Sequence, residues 1–122
     1  VWGQWDCCLY PAAWIESVLG LDPAAEWRGA YDSEEGAQAF LEAGGGVRGV
    51  MGRAAASVGL QRSRFPAAGA VGVVRSPAGP MGAICVSPGL WSTVAIGGGV
   101  TVTACPFVVA WEIGTWPLPS PI

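Results

Sequence analysis

The stretch Ala70-Val71-Gly72-Val73-Val74-Arg75, the turn Ser76-Pro77-Ala78-Gly79-Pro80 and then Gly82-Ala83-Ile84-Cys85-Val86-Ser87 decide how this chain is read. Two β-branched runs parted by proline and glycine are a strand, a turn and a strand. The same alternation continues downstream and predicts strands over 70–75, 82–87, 90–96, 98–103 and 108–112, with turn chemistry in Ser87-Pro88-Gly89 and Ile96-Gly97-Gly98-Gly99. Short connections between successive strands make this an antiparallel meander of about five strands.

Upstream of a boundary at 63–69 the period changes from strand to helix. Leu9, Ala12, Ala13, Ile15, Val18 and Leu19 recur at helical spacing, with Asp6 placed to cap, Pro11 early and Gly20 to stop, which predicts a helix over 6–19. Pro11 is tolerated only near a first turn, so the start is late or irregular. Asp22-Pro23 is a cap followed by a first-turn proline and predicts a short helix over 24–28. Asp32-Ser33-Glu34-Glu35 suits the positive end of a helix dipole and opens a helix over 32–43, closed by Gly44-Gly45-Gly46. Val47, Val50, Met51, Ala54 and Val58 mark the core face of a helix over 47–58. Helices first and strands second argue an α+β domain over residues 1–114, with N-terminal helices packed on a C-terminal antiparallel sheet. The tail at 115–122 contains Trp116-Pro117-Leu118-Pro119-Ser120-Pro121, which cannot be a central strand and is expected to lie extended on a neighbouring chain.

Composition narrows the function. With 122 residues the chain can bury a core without disulfides or a metal. Charged residues are 12% of it, against a usual ~25%. With a mean hydropathy of +0.44, this suggests a surface covered by partners. The most apolar stretch, 100–111, is broken by Thr101, Thr103 and Pro106 and is too short for a membrane span. The net charge is −3 and no basic cluster exceeds Arg62 with Arg64, so the electrostatic footprint of nucleic-acid binding is missing. Cys7, Cys8, Cys85 and Cys105 contain no CxxC pair and no Cys/His pattern, so no metal or other cofactor is expected. Cys85 and Cys105 read as small buried hydrophobes, and a bridge between them has no support beyond the even count.

The run Trp2-Gly3-Gln4-Trp5-Asp6-Cys7-Cys8, with Trp14, Gly20, Asp22-Pro23, Arg28-Gly29, Tyr31, Gly36-Ala37 and Gly44-Gly45, resembles small phage-encoded proteins related to the NlpC-type cell-wall peptidases. The resemblance extends from Trp2 to about Ile113 and implies a papain-like fold, in which a cysteine after an Asp opens a helix that packs on a small antiparallel sheet. It puts Cys7 at the nucleophile position, where a helix-start amide could polarise a carbonyl. The family's histidine begins a sheet strand ahead of a small or β-branched residue, a glycine and an apolar residue. The matching segment, Pro80-Met81-Gly82-Ala83-Ile84, places Pro80 where that base belongs.

This departure is chemical as well as sequential. A thiol attacks as thiolate, a free cysteine titrates near ~8.5, and a neighbouring histidine ordinarily activates it. The chain has no histidine and no lysine, and its six arginines stay protonated. A carboxylate base would favour the neutral thiol by repulsion. The resemblance therefore implies a structural or adaptor subunit of a phage or gene-transfer-agent tail tip or baseplate, beside hub and fibre proteins, made in the bacterial cytoplasm and carried in the virion. Cys7 is then vestigial. Two alternatives are a peptidase or amidase that uses Cys7 with a non-histidine base, and a module that binds peptidoglycan without cutting it.

Among the tryptophans, Trp14 and Trp111 lie within predicted elements and are expected in the core. Trp2, Trp5 and Trp116 lie near the termini and are the interface candidates. The glycine runs at 44–46 and 97–99 are not phosphate loops, because no Lys-Ser/Thr follows either. Glu34 and Glu35 are helix neighbours that point apart, so they are a helix-start charge bias and not a catalytic couple.

Overall fold

The computed structural model describes residues 9–24, 34–76, 79–94 and 99–113 of the chain. Among these, three helices precede a six-stranded sheet: α1 (Leu9–Leu19), α2 (Glu34–Ala43), α3 (Gly46–Ser57), β1 (Gln61–Arg62), β2 (Val71–Ser76), β3 (Gly79–Ser87), β4 (Leu90–Val94), β5 (Val100–Ala104) and β6 (Phe107–Glu112). This is the expected α+β segregation. The helix expected over 24–28 falls almost wholly outside the described residues, as does the tail at 115–122. Ahead of those residues the Ala24 N–H donates to Asp22 Oδ1 at 3.0 Å.

Helix α1 carries Pro11 in its first turn, where a missing N–H costs nothing. It stops at Gly20, whose φ of 72° is left-handed and whose N–H bonds the Glu16 carbonyl at 2.8 Å. Its buried positions are Ala12 and Ile15, with Trp14, Val18 and Leu19 packed beside them. Two glycines turn α2 into α3. The Gly44 N–H reaches the carbonyls of Phe40 and Leu41, and the Arg53 guanidinium donates to the Gly44 carbonyl at 2.9 Å. Helix α3 buries Val47, Val50, Met51, Ala54 and Ala55, one stripe at 3.6-residue spacing. Val58, expected on that stripe, is the helix's C-cap and packs half-buried against the same core.

The sheet order is β1-β6-β2-β3-β4-β5, with every pairing antiparallel. The meander expectation holds for β2 through β5 and fails for β6. That strand leaves the edge after Cys105-Pro106 and returns to pair with β2, Trp111 opposite Val71. The two-residue β1, too short to carry a period, then pairs with β6 and makes the sixth strand. Strand β2 is thereby central, which explains four consecutive buried residues, 71–74.

Each face of the sheet carries its own apolar cluster. Val71, Val73, Val109 and Trp111 meet the helices in one cluster. On the opposite face Ala70, Val74, Ala83, Cys85 and Ala110 surround Trp91 in a second. The ladder slips at Val73/Val74 between β2 and β6 and between Cys85 and Ser87 against β4. Such bulges bend and twist a sheet, and here the Trp91 ring crosses β3 to reach Gly72 on β2. A Cβ on Gly72 would lie 2.9 Å from Trp91 Cη2.

Candidate functional site

Cys7, the expected nucleophile position, and Trp2, Trp5 and Trp116, the expected interface residues, all lie outside the described residues. The described structure does give the seat of the helix that follows Cys7 and the strand position where the family pattern expects a base.

Tyr10 and Trp14 are four residues apart and therefore share one face of α1. Both are tied to the strand region. Tyr10 Oη lies 3.0 Å from Ser92 Oγ on β4, and Ser92 Oγ lies 3.3 Å from the Ile84 carbonyl on β3. A serine hydroxyl has one proton and a carbonyl has none. When the Ser92 hydroxyl donates to Ile84, the Tyr10 hydroxyl donates to Ser92, so the relay runs from helix to sheet. One turn on, the Trp14 indole N–H donates to the Gly69 carbonyl at 2.8 Å. Ser92 is 7% exposed, so removing the Tyr10 hydroxyl leaves a buried oxygen short of a partner. Tyr10→Phe is expected to cost about 0.5–1.5 kcal/mol, read as a lower urea midpoint at unchanged slope.

Pro80 lies on β3 opposite Arg75 of β2 and is exposed. It lines an open cleft of about 470 Å³ with Arg48 of α3, Arg75, Ser76 and Gly79. The Ser76 hydroxyl is committed, donating to the Gly79 carbonyl at 2.7 Å. Among the described residues that line the cleft there is no carboxylate and no imidazole. Pro80 precedes Ile84, where the Tyr10 relay ends, by four residues, roughly 13 Å along the strand. Pro80, the residue that the resemblance would put at the base position, is a ring without a proton acceptor, beside two cations that cannot take a proton.

The two described cysteines offer no substitute nucleophile. Both are free thiols, so no bridge joins them. Cys85 is buried, and its Sγ–H donates to the Ser87 carbonyl at 3.1 Å. Burial first and the nearby Glu112 charge second push this thiol up. Cys105, expected as a small buried hydrophobe, sits in the link between β5 and β6 and is only half-buried, and that burial also raises its pKa. Both are therefore neutral thiols at pH 7. Glu112 is occupied by structural donors, the Ser63 hydroxyl at 3.1 Å and the Ala67 N–H at 3.0 Å. Among the described residues no group of three or more Cys, Asp or Glu side chains could hold a metal ion, and no helix is long and apolar enough to cross a membrane.

Sequence reasoning missed the Tyr10–Ser92 relay and the arginine-lined cleft. The only available signal was the four-residue spacing of Tyr10 and Trp14, which marks a helix face without saying what it meets.

The profile of a family described as a domain of unknown function, DUF6950, matches residues 1–113, and the chain belongs to that family. No curated protein and no solved structure matches it.

Proposed function

We propose that this DUF6950 domain is a structural or adaptor subunit of the tail tip or baseplate of a phage or gene transfer agent, built on a papain-like, NlpC-type scaffold that has lost its reaction. The observation that carries the proposal is Pro80, an exposed proline at the strand position where the resemblance calls for the catalytic base. Its weight comes from the rest of the chain, since no residue in it is a histidine and neither described thiol is activated. The helix that follows Cys7 and its seat on β3 and β4 agree in outline with such a scaffold.

Two measurements on the full chain test this. Particles of the element that encodes it should contain the protein at fixed stoichiometry with hub or fibre subunits. Peptidoglycan incubated with the protein should release no muropeptides, and Cys7→Ser should be indistinguishable from the parent. Turnover that disappears in Cys7→Ser would make the chain a peptidase after all. Sedimentation with purified sacculi, together with absence from particles, would make it a peptidoglycan-binding module.

A further inference from the structure

One edge of the sheet is left open among the described residues. Strand β5, Val100-Thr101-Val102-Thr103-Ala104, is the last in the order, and no described residue pairs with its outer side. Natural edges are ordinarily blunted by charge, proline, bulges or brevity. The opposite edge follows that rule, because β1 has two residues and one of them is Arg62. Strand β5 has none of these protections. It contains no charge and no proline, and its five-residue register against β4 runs from Val94–Val100 to Leu90–Ala104 without a slip.

The side chains of this edge sort by face. Val102 pairs with Ser92, whose hydroxyl meets Tyr10 of α1, so Val100, Val102 and Ala104 are on the helix side and Thr101 and Thr103 on the other. Val100 and Val102 are 56% and 51% exposed, and Leu90, on the same side of β4, is 37% exposed. The outer backbone donors and acceptors of β5 therefore lie beside an apolar row.

We infer that β5 pairs antiparallel with β5 of a second copy of this chain about a two-fold axis at Val102, joining two six-stranded sheets into one. The occupant follows from the strand's own pattern. In that register Val102 faces Val102, Val100 faces Ala104, and Thr101 faces Thr103. Apolar meets apolar on the helix side and hydroxyl meets hydroxyl on the other, and both kinds of cross-strand pair are favourable. No charge opposes its own image, as would happen at a symmetry axis through any titratable residue. The interface is isologous and closes at two copies, so it yields a dimer and not a fibre. This pairing stands on the sheet alone and does not depend on the tail-tip reading.

The test is the mass of the full-length protein in solution by light scattering, from low micromolar to near-millimolar concentration. The expected result is a monomer–dimer equilibrium. Val102→Arg sets two guanidinium groups face to face at the axis and should weaken the dimer by at least about tenfold, while far-UV circular dichroism and the melting temperature of the monomer stay unchanged. Val102→Cys should form an intermolecular 102–102 disulfide on mild oxidation, identified by peptide mapping. Directly opposed strand residues have Cα atoms within bridging range. Thr101→Cys should not bond to itself, because Thr103 is its partner. A protein that stays monomeric throughout, because another segment or a foreign strand covers the edge, overturns the inference. So does a dimer that Val102→Arg leaves intact.

Discussion

Trp91→Ala is expected to lower the unfolding free energy by about 3–5 kcal/mol, a large share of the ~5–15 kcal/mol typical of a domain. Trp91 has no exposed surface and is the largest fully buried side chain described. It fills the face of the sheet that the helices do not cover, in a cluster with Met81, Cys105 and Phe107 half-buried at its margin, whose other buried members are Ala70, Val74, Ala83, Cys85 and Ala110. Side chains that small cannot close over the void, and the sheet is held by ladders on either side, so most of the cavity should persist. Phe107 shares the face, its ring centred 5.9 Å away at a tilt of 46°, and would lose its aromatic neighbour. Trp91→Phe provides the control. The indole Nε1 is buried and has no hydrogen-bond partner among the described residues, so phenylalanine removes an orphaned donor along with some ring area. Its cost should be less than half that of alanine. Urea unfolding at unchanged slope measures both. Equal losses in the two variants would mean that the face depends on the indole N–H and not on ring volume.

How much of this fold is legible in the sequence depends on what periodicity can report. Hydrophobic spacing says which side of an element is buried. It located α3 to within a residue and found Val47, Val50, Met51 and Ala54 on its core stripe. Turn chemistry likewise placed Gly20 at the end of α1 and Ser87-Pro88-Gly89 between β3 and β4. Spacing does not say which strand lies beside which. The return of β6 to β2 pairs residues about forty positions apart, and nothing local in Phe107-Val108-Val109-Ala110-Trp111 distinguishes that partner from β5. Trp91 was equally unreadable, because its burial depends on the ring reaching across β3 to Gly72 on β2. For the candidate site, the departure at Pro80 was visible in the sequence and its exposure in a cleft between Arg48 and Arg75 was not. The Tyr10–Ser92 relay joins residues 82 positions apart, and a tyrosine and a serine carry no mark of partnership.

Gly72→Ala should cost about 1–3 kcal/mol, although at most strand positions the same change is neutral or mildly favourable. Gly72 is not in a left-handed conformation, so backbone strain plays no part. Space decides the result. A Cβ there would stand 2.8 Å from the Val109 carbonyl oxygen, 2.9 Å from Trp91 Cη2 and 3.1 Å from Trp91 Cζ3. The two obstacles differ in kind. The ring edge can retreat or be trimmed, whereas the carbonyl belongs to the β2–β6 ladder and moves only if the ladder opens. In a double-mutant cycle with Trp91→Phe, Gly72→Ala should therefore become cheaper without becoming free. The residual penalty is the carbonyl contact, and the coupling energy is the part of the clash owed to the indole. Additivity within about 0.5 kcal/mol would show that Trp91 does not press on Gly72, and the ring would then not be what keeps this strand position at glycine.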